Sequence, residues 1–170
     1  MKRNVKILMV AGLVMLSITK VKAQDDRIKS LFIYNFTKYI DWPSDYKSGP
    51  FIIAVYGNTP VYKQLAESLA ARKVSAQSIE VKNFNSVDEI QKCHIMYVAS
   101  SSTKNLAAIV SKISGYSVLL ITDSPGAIDQ SAINFTIVGG KQNYEVNTGY
   151  MKGKDLSFTA NLTSLAAKVK

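Results

Sequence analysis

The stretch Phe51-Ile-Ile-Ala-Val-Tyr-Gly57 is apolar from its first residue to its last and stops at a glycine. A continuous apolar run of this length is typical of a strand buried on both faces, as in a parallel sheet. Two similar runs follow at 94–99 (HIMYVA) and 116–123 (YSVLLITD), separated by segments with helical periodicity. This alternation predicts an α/β domain with a doubly wound, mostly parallel sheet and flanking helices.

The alternation changes after Asp123, where Ser-Pro-Gly at 124–126 is a turn sequence. Two strand-like runs, AINFTIV (132–138) and NYEVN (143–147), flank the residues GGKQ. Paired glycines supply the positive φ angles of a tight hairpin, so we predict a C-terminal β-hairpin that makes the sheet mixed. Beyond it we expect a helical turn at 148–152, a strand at 156–158 and a last helix with Leu162, Leu165, Ala166 and Val169 on one side.

The segment FIYNFTKYIDWP (32–43) predicts an amphipathic helix that is crowded with aromatic residues. Asp25 and Asp26 suit the start of this helix, and Pro43 is expected to end it. Its apolar side is formed by Ile28, Leu31, Phe32, Phe36, Tyr39 and Ile40. Asn35 interrupts that side, and we expect its amide to bond the backbone of a strand.

The first 23 residues have the pattern of a cleaved signal peptide, with a basic start, a short apolar core and small residues near Ala23. The domain would then be a single one at 24–170, exported to the periplasm. An uncleaved membrane anchor is the alternative. Without this segment the chain holds 16 Lys and Arg against 12 acids, a net charge of +4. That modest charge predicts no nucleic-acid partner.

The sequence carries no recognisable catalytic or metal-binding motif. His94 is the single histidine and Cys93 the single cysteine, and neighbouring strand residues point to opposite faces. We therefore expect a structural His94 and a buried Cys93, with a dimer-linking disulfide as the alternative for the thiol. Gly139-Gly140-Lys141 lacks the spacing of a phosphate-binding loop. We predict no enzymatic activity, no metal and no cofactor.

Asp123 has two interpretations. It ends a predicted parallel strand, and ligands of open α/β sheets bind beyond the carboxyl ends of strands. A small-ligand site near Asp123 is therefore one hypothesis for the function. The other interpretation is ordinary turn chemistry, in which the Asp123 side chain bonds the backbone that follows it.

Several motifs together resemble the YfiR family of small periplasmic proteins. They are FIYNFTKYIDWP, CHIMYV, LLITDSPG, INFTIVGGKQNYEVN and LSFTANLTSLA, and they follow the same order over nearly all of the chain after the signal. The resemblance implies a dimeric, non-enzymatic regulator that represses an inner-membrane diguanylate cyclase and so limits cyclic-di-GMP signalling and biofilm formation. A sensor kinase is the alternative partner. Redox-responsive members of the family carry paired cysteines, whereas this chain has one.

The resemblance also places an exposed functional surface on the hairpin and on the short helix after it. In this chain the corresponding candidates for partner binding are Asn134, Phe135, Glu145, Asn147 and Met151.

Overall fold

The computed structural model describes residues 25–170, and the predicted signal peptide at 1–23 lies outside this range. The strands in it are β1 (Ile40–Asp41), β2 (Phe51–Tyr56), β3 (Lys73–Val74), β4 (Gln77–Phe84), β5 (Ile95–Val98), β6 (Leu119–Thr122), β7 (Ile133–Val138), β8 (Lys141–Val146), β9 (Ser157–Phe158) and β10 (Lys168–Val169). The helices are α1 (25–36), α2 (Pro60–Leu69), α3 (Leu106–Lys112), α4 (Thr148–Lys152) and α5 (Ala160–Ser164).

Eight strands form one sheet in the order β10-β8-β7-β6-β5-β2-β4-β3. The pairs from β7 through β6, β5 and β2 to β4 are parallel, and so is the β10–β8 pair. The β7–β8 hairpin and the β3–β4 pair are antiparallel. Gly139 and Gly140 turn the hairpin with φ angles of +56° and +74°. The predicted fold, a doubly wound and mostly parallel mixed sheet with a C-terminal hairpin, is confirmed.

Apolar clusters cover both faces of the sheet, because the apolar strand residues point alternately to the two sides. One cluster packs α1, α2 and α5 on one face, and the other packs α3 on the opposite face. The aromatic side of α1 packs against the cluster that contains α2 and α5. Phe36 lies edge-on to Tyr144, with ring centres 4.9 Å apart, and Phe32 contacts the same tyrosine at 5.5 Å. Burial of each such side chain contributes roughly 1.5–3 kcal/mol.

The end of α1 differs from the prediction. The helix stops at residue 36, well before Pro43, and the backbone N–H groups of 37–39 bond the carbonyls three residues earlier, as in turns. Ile40 consequently belongs to β1, where it pairs with Phe158 of β9. The expectation for Asn35 is also wrong. It is only half-buried, and its side chain accepts a hydrogen bond from Lys38 at 3.1 Å rather than from a strand.

The last predicted helix is too long. It ends at Ser164, and Lys168 and Val169 instead form the edge strand β10 beside β8. Main-chain bonds of 2.8 Å from Ala167 to Tyr144 and from Lys170 to Val146 hold this edge. Leu162 is buried as predicted, whereas Leu165 and Val169 are exposed. Residues 86–90, between β4 and β5, form a bend and a turn without helix.

Candidate functional site

The polar cleft defined here opens where β6 ends and the β7–β8 hairpin continues past it. Strand β7 pairs with β6 only through Ile133 and Asn134, so the rest of the hairpin projects beyond the carboxyl edge of the sheet. The space enclosed is about 400 Å³. It is lined by Asp25, Lys29, Asp123, Ser124, Pro125, Gly126, Asn134, Phe135, Thr136, Ile137, Gln142 and Glu145.

The turn after β6 gives the cleft its base. Gly126 has a φ of +76°, a conformation that favours glycine, and the chain can therefore leave the sheet abruptly after Asp123. Asn134 then ties three strands together. Its side-chain oxygen accepts from the Thr122 hydroxyl at 2.8 Å and from the Ser124 N–H at 3.1 Å, and its amide donates to Glu145 at 3.0 Å. Both the oxygen and the nitrogen of this buried amide therefore have hydrogen-bond partners.

Asp123 links this edge of the sheet to α1. Its carboxylate accepts from Lys29 Nζ at 2.7 Å and from the Tyr97 hydroxyl at 3.2 Å. Burial raises the pKa of Tyr97, and the Asp123 carboxylate raises it further, so the tyrosine is a stable donor. The prediction that Asp123 bonds the backbone of its own turn is wrong, because the carboxylate bonds these two distant side chains. Its role in ligand binding stays a prediction.

Four of the five residues proposed as partner contacts are buried. Phe135 is 3% exposed among the rings of the α1 face, and Met151 is fully buried in the same cluster. Asn147 caps α4 by accepting from the Tyr150 N–H at 3.0 Å, and it donates to the Ile128 carbonyl at 2.9 Å. With Asn134 also buried, the expectation that these four lie on an exposed surface is wrong. Phe135 and Met151 are buried by apolar packing, whereas Asn134 and Asn147 are buried with their amides hydrogen-bonded inside the protein.

Glu145 is the one candidate of the five whose side chain reaches solvent. It lies directly opposite Asn134 in the hairpin, and the bond from the Asn134 amide fixes one carboxylate oxygen. No ion pair joins Glu145 to a cation within residues 25–170. The cleft holds two further acids, Asp25 and Asp123, against the single cation Lys29. Its rim is therefore acidic in a chain that is basic overall.

His94 and Cys93 are structural, as predicted. His94 accepts from the Ile52 N–H through Nδ1 at 3.0 Å and donates from Nε2 to the Tyr46 carbonyl at 2.8 Å. Its ring stacks on Phe51 with centres 4.1 Å apart. Cys93 is buried, and burial raises the pKa of its thiol to about 12. Among the described residues, no three His, Cys, Asp or Glu side chains come together in a way that suits a metal ion.

The sequence did not indicate three features of the cleft. Lys29 and Asp25 line it from α1, and Ile137 on the hairpin is 57% exposed at its border. Lys29 lies 94 residues from Asp123 in the chain, so no local pattern predicts their ion pair. The spacing of Asp25 and Lys29, one helical turn apart, was the only available signal that both share a face of α1.

The profile of the YfiR/HmsC-like family matches residues 26–167, which is most of the chain. No curated protein gives a match. The family is one of periplasmic, non-catalytic regulators that act with membrane signalling proteins in cyclic-di-GMP control. Within 25–170, none of the helices has both the length and the apolar character needed to span a membrane. On the extent of the match, the chain belongs to the YfiR/HmsC-like family.

Proposed function

We propose that this chain is a periplasmic regulator without enzymatic activity that binds and represses an inner-membrane signalling protein through the hairpin beside the polar cleft. A diguanylate cyclase is the first candidate for the partner and a sensor kinase the second. The observation that carries the proposal is the family match over 26–167. Export would follow cleavage after Ala23, so the mature protein would begin at Gln24 and act as a homodimer.

The geometry of the hairpin supports Glu145 as the main polar contact. Its carboxylate is held in place by Asn134 and forms no ion pair among the described residues. Ile137 and Val138 are 57% and 51% exposed at the end of the same hairpin. A fixed charge next to exposed apolar side chains is a suitable contact for another protein, because little side-chain freedom is lost on binding. Asn134, Phe135, Asn147 and Met151 would then act indirectly, by holding the hairpin and α4 in place.

Substitutions at Glu145 test the proposal with the partner's purified periplasmic domain. Glu145→Lys is expected to weaken binding at least about 30-fold, because loss of a desolvated charge contact costs roughly 2–5 kcal/mol. Glu145→Gln keeps an acceptor for Asn134 and should give a smaller loss. Glu67→Lys on α2 is the matched control, since Glu67 is an exposed acid that does not line the cleft. Equal affinity of Glu145→Lys and Glu67→Lys would contradict the assignment.

A second function, binding of a small ligand in the cleft near Asp123, is favoured by the cleft itself. Its volume of about 400 Å³ is within the range of ligand pockets, and it lies beyond the carboxyl end of a parallel strand. A ligand that binds there should raise the melting temperature of the wild-type protein. The same ligand should have little effect on Asp123→Asn. A ligand screen in which no compound distinguishes the two proteins would rule this function out.

A further inference from the structure

A second concavity, here called the basic groove, lies at the opposite, amino edge of the sheet. Its volume is about 520 Å³. It is bounded by the C-terminal end of α1 with the turn that follows, by the β3–β4 turn, and by the β1–β9 pair. None of the residues discussed above as partner contacts belongs to it. A ligand bound in the groove would therefore be separate from the partner-binding hairpin.

The cations around this groove lack acidic partners. Lys38 and Lys73 line it, and Arg72 lies beside it. Lys38 Nζ and the Arg72 guanidinium stand 5.2 and 4.8 Å from the centre of the same Tyr34 ring. No ion pair within the described part of the chain involves any of the three cations.

Among the residues that the structure describes, Asp41 is the one acid that lines the groove, and it does not pair with any of these three cations. The Asp41 carboxylate is already bound by Lys47 Nζ at 3.0 Å. Like charges held around one ring repel each other, and an anion in the groove would relieve that repulsion. The charge distribution therefore suits an anionic ligand.

The other residues of the groove suit a ligand that contains a ring and hydroxyl groups. Tyr34, Tyr39 and Phe158 line it with half-buried aromatic side chains. Ser75, Ser157 and Thr159 add exposed hydroxyl groups. A pocket of this size with apolar surfaces and a few polar groups is typical of a small-molecule site.

Ser75 gives a separate indication from the backbone. It is the first residue of the two-residue turn between β3 and β4 and has a φ of +52°, a conformation that favours glycine. A serine here costs stability relative to glycine, and its side chain lines the groove. The turn thus places a hydroxyl-bearing residue at the wall of the groove.

We propose that the basic groove binds a small organic anion that carries a carboxylate or phosphate on a hydroxylated ring, such as a sugar acid or a sugar phosphate. Lys38, Lys73 and Arg72 neutralise the acid group. The aromatic side chains pack against the ring, and the serine and threonine hydroxyls bond its substituents.

Isothermal titration calorimetry at low ionic strength tests this with glucuronate and glucose 6-phosphate, using glucose as the neutral control. The wild-type protein should bind at least one of the two anions saturably and should not bind glucose. The double variant Lys38→Gln/Lys73→Gln should weaken binding roughly tenfold or more, because two charge-assisted bonds are lost. Both lysines are exposed, so the variant should fold normally.

The matched control is Lys63→Gln/Lys112→Gln, which removes the same charge from exposed sites on α2 and α3. Its affinity for the anion should equal that of the wild type. Ser75→Gly should bind more weakly and yet melt at a higher temperature, a combination that a purely structural Ser75 does not give. Absence of binding to both anions, or equal losses in the two double variants, would overturn the proposal.

Discussion

The two concavities at opposite edges of the sheet contain similar numbers of polar groups but pair them differently. At the polar cleft, Lys29 bonds Asp123, and Asn134 bonds both Thr122 and Glu145. At the basic groove, the cations stand near a tyrosine ring and have no carboxylate beside them in the described structure. Most polar groups of the cleft are thus bonded to one another, with Asp25 and Glu145 as the acids that no cation pairs within the described residues, whereas the groove carries cations that the fold leaves without acidic partners.

This difference distinguishes polar groups that hold the structure together from polar groups that remain available to bind a ligand. A network of satisfied hydrogen bonds fixes the shape of an edge and presents a rigid surface, which suits a protein partner. A concave surface with uncompensated charge suits a small ion that supplies the missing charge. Helix α1 contributes to both, with Lys29 at its start in the cleft and Tyr34 near its end in the groove.

The largest effect is expected from Phe36→Ala, which detaches α1 from the sheet and so disturbs both edges together. Phe36 is 1% exposed and lies against Tyr144 and Phe135. Loss of a buried phenylalanine costs about 3–5 kcal/mol of unfolding free energy. Urea denaturation followed by circular dichroism measures it. Leu31→Ala on the same helix is the control, and it should stay within about 0.5 kcal/mol because Leu31 is 50% exposed.

A smaller effect that is specific to the cleft is expected from Lys29→Met. Methionine keeps much of the packing of the lysine stem but leaves Asp123 without its cation, and both side chains of the pair are largely buried. We expect a loss of about 1.5–3 kcal/mol, the range for hydrogen bonds to charged groups.

Lys47→Met provides the comparison at the other edge. It breaks the exposed pair with Asp41, and such pairs contribute about 0–1 kcal/mol. Both variants are measured by urea denaturation. Equal losses of unfolding free energy in Lys29→Met and Lys47→Met would contradict the proposed difference between the polar cleft and the basic groove.

The smallest effect is a pH dependence that arises at the amino edge, where His94 is buried. Burial lowers the pKa of His94 below its usual 6.5, so the folded protein takes up the proton less readily than the unfolded chain. The stability contributed by neutral His94 is complete above pH 6.5 and is lost as the pH falls through the pKa of the folded state. Because His94 is the single histidine, an NMR titration of its ring protons measures the folded pKa directly. A midpoint at or above 6.5 would contradict this expectation.

Much of the fold was predictable because local pattern and tertiary structure agree in the centre of the sheet. The apolar runs at β2, β5 and β6 need no partner to be recognised as buried strands, and the two glycines identify the hairpin. The ends of α1 and α5 were not predictable, because main-chain bonds from distant strands decide where those segments leave the helical conformation. Ile40 pairs with Phe158, and Ala167 bonds Tyr144.

The candidate site was predictable only in part. Asp123 and Glu145 were singled out separately, one from the end of a strand and one from the family resemblance, and the structure places both in the same cleft. A single sequence does not show which distant side chains meet in the fold. Lys29 and Asp123, for example, are 94 residues apart and form an ion pair. It also does not show that Asn134 and Asn147 satisfy their amides internally rather than facing a partner.

Site-specific photo-crosslinking in the native envelope shows whether the hairpin beside the polar cleft is the partner-binding surface. A photoreactive phenylalanine analogue would replace Glu145 in one variant, Ile137 in a second and Glu67 in a control. We expect positions 145 and 137 to capture the same inner-membrane cyclase or kinase, identified by mass spectrometry, and position 67 not to capture it. Capture of that protein from position 67 alone, or only self-crosslinks from 145 and 137, would contradict this role of the hairpin.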